Sequence, residues 1–173
     1  MAAKVAVVMG SDSDLPVMKE AIDTLEQFGI KAFVSITSAH RTPDKVKTFL
    51  KEAADEGCGV IIAAAGGAAH LAGVIAAHTT IPVIGVPMNS ALSGVDSLYS
   101  MVQMPQGIPV GTMAVGKPGA VNAAIYAAQI IGIKDKKMKS KLAGFKKELA
   151  QKVDNKDRQL REKGVKKFLE EKK

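Results

Sequence analysis

Tryptophan is absent from this chain, cysteine occurs once, and the only other aromatics are five Phe and two Tyr. The single Cys58 rules out an internal disulfide framework and suits a reducing compartment. With so few large rings, the 47% hydrophobic content must come mainly from Ala, Val, Ile and Leu. Small side chains let helices approach a sheet closely and favour extensive contacts between subunits. No apolar stretch approaches about 18 residues free of polar breaks, and the N-terminus has no signal-peptide pattern. The expectation is a cytoplasmic protein with no membrane association.

Several nucleotide and hydrolase signatures are missing too. The turn Gly10-Ser-Asp-Ser-Asp14 lacks the later glycines of a dinucleotide fingerprint, and its acids would oppose a diphosphate. There is no Gly-Lys-Ser/Thr phosphate loop and no Gly-x-Ser-x-Gly nucleophile elbow. A phosphoacceptor receiver domain needs an Asp at the end of its third strand, where this chain has Ala63-Ala64-Ala65-Gly66. Two of the three histidines offer themselves to a ligand but lack a third metal-binding partner, and Cys58 lies at the wrong end of its strand, so no metal site is expected.

Charge is unevenly divided. Residues 1–133 hold 8 Lys/Arg and 10 Asp/Glu, whereas residues 134–173 hold 16 and 7. The net +7 therefore belongs to the tail and gives the remainder no nucleic-acid character. The chain is read as an α/β catalytic domain over 1–133 and a basic helical extension over 134–173. In that extension Met138, Leu142, Phe145, Leu149 and Val153 form a narrow apolar seam. It can pack on another helix, or the segment can be a solvated helix frayed beyond Val153.

Within the first 133 residues, strand and helix patterns alternate. Lys4–Met9, Lys31–Ile36, Val60–Ala65, Ile81–Val86 and Pro109–Val115 read as strands. Val17 to Phe28, with Gly29 as a stop, and Val46 to Ala54, ending by Gly57, read as amphipathic helices. An Ala-rich helix follows His70 and ends near Thr79, a short helix lies within residues 87–107, and Gly119–Ile131 forms another. Repeated βα units predict a three-layer, parallel α/β sheet with right-handed crossovers and helices on both faces.

In such a sheet ligands bind at the carboxyl ends of the strands. Three loops fall there: Gly10–Asp14, Ser38–Pro43 and Gly66–His70. Ser11, Ser13 and Ser38 can donate hydrogen bonds to an anion beside helix N-termini. Arg41 adds a fixed charge and a bidentate fork. Asp14 suits ribose hydroxyls, although Asp12 and Asp14 also fit simple helix caps. His40 is the candidate proton carrier. His70, expected in the first helical turn, is a neutral positioning group. His78 falls at the opposite edge and is a surface residue. For Ser38–Pro43 taken alone, a capped turn, with Thr42 or Asp44 as cap and Pro43 in the first turn, and a reactive site are both open.

The three loops, Gly10-Ser-Asp-Ser-Asp14, Ser38-Ala-His-Arg-Thr-Pro43 and Ala65-Gly-Gly-Ala-Ala-His-Leu71, resemble the signature loops of the class I PurE family of N5-carboxyaminoimidazole ribonucleotide mutases. Gly85-Val-Pro87, Gly94-Val-Asp-Ser-Leu98, Gln103-Met-Pro105 and Gly107-Ile-Pro-Val110 match further segments in order, so the likeness runs over about residues 4–135. It implies a flavodoxin-like fold, a homo-octamer, and an enzyme of purine biosynthesis that needs neither cofactor nor metal. Such an enzyme moves a carboxyl group from an exocyclic nitrogen to a ring carbon. The resemblance implies that Ser11, Asp14, Ala39 and Arg41 bind substrate, with Ser13 and Ser38 helping to hold its phosphate. His40 would be the general acid and base, and Ala65, Gly66, His70 and Leu71 would wall a pocket that retains carbon dioxide.

Two alternatives stand beside this. Class II relatives carboxylate aminoimidazole ribonucleotide with free carbon dioxide, but typically carry Lys in place of Arg41 and lack the counterpart of His70. A non-catalytic nucleotide-binding module would use the same loops without proton chemistry. The tail is longer and more basic than the family pattern over its last 15 or so residues.

Overall fold

A computed structural model describes residues 3–171. The chain divides into two compact units, one ending at Ile131 and the other beginning at Gly132. The first carries a five-stranded, all-parallel sheet of β1 (Lys4–Met9), β2 (Lys31–Ile36), β3 (Cys58–Ala65), β4 (Val83–Pro87) and β5 (Gly111–Thr112), in the order β2-β1-β3-β4-β5. This is the flavodoxin-like order, in which successive connections leave β1 in opposite directions along the sheet.

Right-handed crossovers then send the helices to opposite faces. The helix α1 (Leu15–Gln27) joins β1 to β2 on one face. On the other lie α2 (Pro43–Asp55), α3 (Leu71–Ala76) and α4 (Val95–Val102), whose Phe49, Leu71, Ala72, Ile75 and Met101 share a core with Ala6, Val8, Ile61 and Ala63 of the sheet. The last helix of this unit, α5 (Lys117–Gly132), packs beside α1, where Lys117 Nζ donates to Glu20 at 2.9 Å. Because both faces are covered, β1 and β3 are buried almost throughout instead of alternating.

Small residues permit this closeness. Ala120, Ala123, Ala124, Ala127 and Ala128 of α5 are all fully buried. At Gly119 the constraint is absolute: a Cβ there would lie 1.7 Å from the carbonyl oxygen of Ala114.

Several expected boundaries shift. The fifth strand pairs over two residues only, because Pro109 offers no N–H and an edge strand has a single neighbour. The third helix stops at Ala76 instead of Thr79, and the fourth strand starts at Val83, just after Pro82. Thr42 occupies the N-cap position of α2 but makes no side-chain cap; its hydroxyl turns back to Ser38.

The second unit contains α6 (Lys136–Glu170), capped by the Asp135 carboxylate, which accepts from the N–H groups of Lys137 and Met138. Helix continues well beyond Val153 and is interrupted at Gly164, whose φ of 73° and ψ of 161° are not helical. Leu149 and Val153 of the apolar seam are exposed.

Gly119→Ala is expected to lower stability by more than about 2 kcal/mol, since backbone must move to admit the methyl group. Gly144→Ala, in α6 with open space where the Cβ would go, should raise it by about 0.5–1 kcal/mol through helix propensity. Thermal unfolding of the two variants checks both signs.

Candidate active site

Register brings three loops level. Met9 pairs with Ile36 on one side and with Ala64 on the other, so β1, β2 and β3 end together. The switch in the direction of the connections falls between β1 and β3, where open α/β sheets bind ligands. Packing secures the outer strand: Phe33 of β2 stacks on Phe49 of α2 at 6.0 Å, and Lys45 Nζ donates to the Ile36 carbonyl at 2.8 Å.

The Ser38–Thr42 turn is braced from within. The Thr42 hydroxyl accepts from the Ser38 N–H and donates to the Ser38 carbonyl, both at 3.0 Å, while the Ser38 hydroxyl accepts from the Arg41 N–H at 3.1 Å. Two further bonds tie this turn to its neighbours. Arg41 Nη2 donates to the Gly10 carbonyl at 3.0 Å, and His40 Nε2 lies 2.8 Å from His70 Nδ1, the rings meeting edge to face. One imidazole donates and the other accepts, so a single proton lies between the facing nitrogens. His70 is the N-cap of α3, one position earlier than expected.

On the first loop the Ser11 hydroxyl is the hub. It accepts from the Ser13 N–H at 3.3 Å and the Ser13 hydroxyl at 2.9 Å, and donates to Asp12 at 3.1 Å. This caps a short 3-10 turn over Asp12–Asp14 that leads into α1. Burial holds the Asp14 carboxyl above the usual carboxylate range; the Ser11 N–H works against that rise and the charge of Asp12 adds to it.

These loops enclose a cavity of about 470 Å³. Every residue expected to bind substrate or carry the chemistry lines it: Ser11, Ser13 and Asp14 from the first loop, Ser38 to Arg41 from the second, and Ala65, Gly66, His70 and Leu71 from the third. Asp12 does not. His78 is exposed at the far edge of the sheet, with Nδ1 2.8 Å from the Val74 carbonyl oxygen. Cys58 is buried at the start of β3, which pushes its thiol pKa up and leaves it poorly nucleophilic.

Sequence reasoning missed Asn89 and Ser90, which complete the wall after β4. The signal was available, because that loop also leaves the carboxyl edge of the sheet. The same segment carries Ser90, whose hydroxyl donates to Asp96 and holds that carboxylate below its usual range. Polar groups, one guanidinium and two imidazoles thus face one concavity beside an apolar corner made by Ala65 and Leu71. The arrangement can hold an anion and move a proton within the same volume.

The AIR carboxylase family profile matches residues 4–152. The N5-carboxyaminoimidazole ribonucleotide mutase of Pyrococcus horikoshii is 52% identical over 168 residues, spanning 96% of this chain and 94% of the relative. That of Escherichia coli K12 is 56% identical over 146 residues, spanning 84% and 86%. The crystal structure of Treponema denticola PurE superposes with a TM-score of 0.82 at 30% identity, covering 91% of this chain and 98% of that one. A profile match over most of the chain, joined by relatives at more than half identity, makes this protein a member of the AIR carboxylase family.

Proposed function

We propose that this chain is an N5-carboxyaminoimidazole ribonucleotide mutase, an isomerase of purine biosynthesis. The observation that carries the reading is the 2.8 Å contact between His40 and His70 inside a cavity whose other walls are suited to a ribonucleotide phosphate. The names of the relatives at about 50% identity support the same substrate.

In this reading the hydroxyls of Ser11, Ser13 and Ser38 and the start of the first helix take the phosphate. Arg41 gives one N–H to the Gly10 carbonyl and its Nε–H to the Ser38 hydroxyl at 3.4 Å, and keeps the others for the anion. Asp14 accepts hydrogen bonds from the ribose, and Ala39 packs beside it. His40 delivers a proton to the exocyclic nitrogen as the carbon–nitrogen bond breaks and carbon dioxide departs. Ring carbon C4 then attacks that carbon dioxide, and His40 takes the C4 proton, which restores aromaticity to the now C4-carboxylated ring and returns to His40 the proton it gave up. Ala65, Gly66, His70 and Leu71 confine the gas, which keeps recombination effectively unimolecular.

The active protein is a homo-octamer in the cytoplasm, where a lone thiol stays reduced. Exposed apolar side chains support assembly: Leu92 is 65% and Tyr99 is 60% accessible in the single chain, beside Val95 and Val102.

Supplying the N5-carboxylated ribonucleotide without ATP or bicarbonate should yield the C4-carboxylated product. His40→Asn is expected to lower that rate by about 10²–10⁴-fold, the range for loss of a general acid–base, with ligand affinity largely kept. Unimpaired turnover in His40→Asn would sink the mechanism, and carboxylation only from the decarboxylated nucleotide plus carbon dioxide would favour class II chemistry. Native mass spectrometry checks the octamer.

Asp14 supplies a pH test. Its raised native pKa means that the folded state binds this proton more tightly than the unfolded state. That contribution is fully present below the ordinary carboxylate pKa and is lost as pH rises through the raised native value. The stability of Asp14→Asn relative to wild type should therefore grow as pH rises across that window, while substrate affinity falls at neutral pH. Melting curves of both proteins at several pH values read the sign, and a melting temperature of Asp14→Asn that falls relative to wild type as pH rises across the window contradicts it.

A further inference from the structure

Gly67 lines the cavity at φ +64°, and nothing lies within 4 Å of where its Cβ would be. No side chain packs over this position, and the peptide groups of Gly67 also take hydrogen bonds from outside the loop. They come from α4. The Ser97 hydroxyl, on a side chain with no solvent exposure at all, accepts from the Gly67 N–H at 2.9 Å. One turn further on, the Ser100 hydroxyl lies 3.4 Å from the Gly67 carbonyl oxygen and 2.8 Å from that of Asp96, the stronger of its two contacts.

From Gly67 the constraint passes directly to the reacting groups. The Gly67 carbonyl also accepts from the Ala69 N–H at 2.8 Å, and the Ala68 carbonyl accepts from the His70 N–H at 2.7 Å. These two tight turns set the place from which the His70 ring reaches His40. A loop and a helix that the sequence separates by some thirty residues are thus joined through one buried hydroxyl.

We propose that Ser97 is a positioning residue for the carboxyl transfer, fixing the Gly67 peptide and through it both the wall of the carbon dioxide pocket and the His70 ring, with Ser100 as a weaker second support. The inference rests on the mutase reading above. Ser97 touches no reacting atom. Its loss frees the Gly66–His70 segment, so carbon dioxide escapes between its release from nitrogen and its capture by C4.

The test measures how many molecules of C4-carboxylated product form per molecule of N5-carboxylated substrate consumed, with free carbon dioxide removed enzymatically. A purely structural role would lower stability or the overall rate and leave this ratio unchanged. Ser97→Ala should raise the fraction of turnovers that release the decarboxylated nucleotide by about fivefold, the factor expected from losing one ordinary hydrogen bond. Ser100→Ala should raise it less. Ser97→Cys, which keeps the shape but accepts poorly, should resemble Ser97→Ala, and it decides the matter if the alanine variant does not fold. A folded Ser97 variant with the wild-type product ratio overturns the proposal. If the wild type itself forms no product, the functional reading fails. The imidazole ¹⁵N signals of His40 and His70 then decide the positioning claim: a change in Ser97→Cys sustains it, and unchanged signals overturn it.

Discussion

Parallel pairing of β1 with both β2 and β3 is the constraint on which the rest of this molecule depends. Backbone hydrogen bonds set Met9 level with Ile36 and Ala64. A slip of one residue would turn side chains to the wrong face and pull one strand end out of line. With the register as it stands, the three loops leave the sheet at one height. Arg41 can then reach Gly10, and His40 can reach His70.

The site combines stiffness with electrostatic cost. The Ser38–Thr42 turn is closed by its own hydroxyls, so the arginine and histidine it carries start from a fixed frame. Against this, burial makes the ionised Asp14 carboxylate unfavourable in the unliganded protein. A half-buried acid that lowers stability yet faces a cavity is the pattern expected where binding sets the residue's identity. Asp96 differs, because a serine hydroxyl steadies its charge.

Much of this was legible in the sequence. Unbroken apolar runs identified the buried parallel strands, helical spacing identified α1 and α2, and turn residues after strands marked the loops. Boundaries were less legible where prolines and edges intervene: the fifth strand shrank to Gly111–Thr112, and α3 ended early. Thr42 offered a plausible cap, but whether a hydroxyl bonds forward to the helix or back to Ser38 depends on loop geometry that no local pattern encodes. Asn89 and Ser90 were missed, and Ser97 stood out only as part of the matching segment Gly94–Leu98, for a related reason. Their loop and helix look like ordinary polar sequence until the sheet order brings them against Gly66 and Gly67.

By itself the sequence determined which residue types stand at strand ends, that the sheet is parallel, and that the basic charge lies in the tail. These follow from local composition and periodicity, which depend on neighbours a few residues apart. Only the tertiary structure decided that His40 and His70 share one proton between facing nitrogens, that Arg41 ties the second loop to the first, and that a buried serine holds the third. Each of those bonds joins residues some thirty positions apart, and its distance is set by strand register and helix packing acting together.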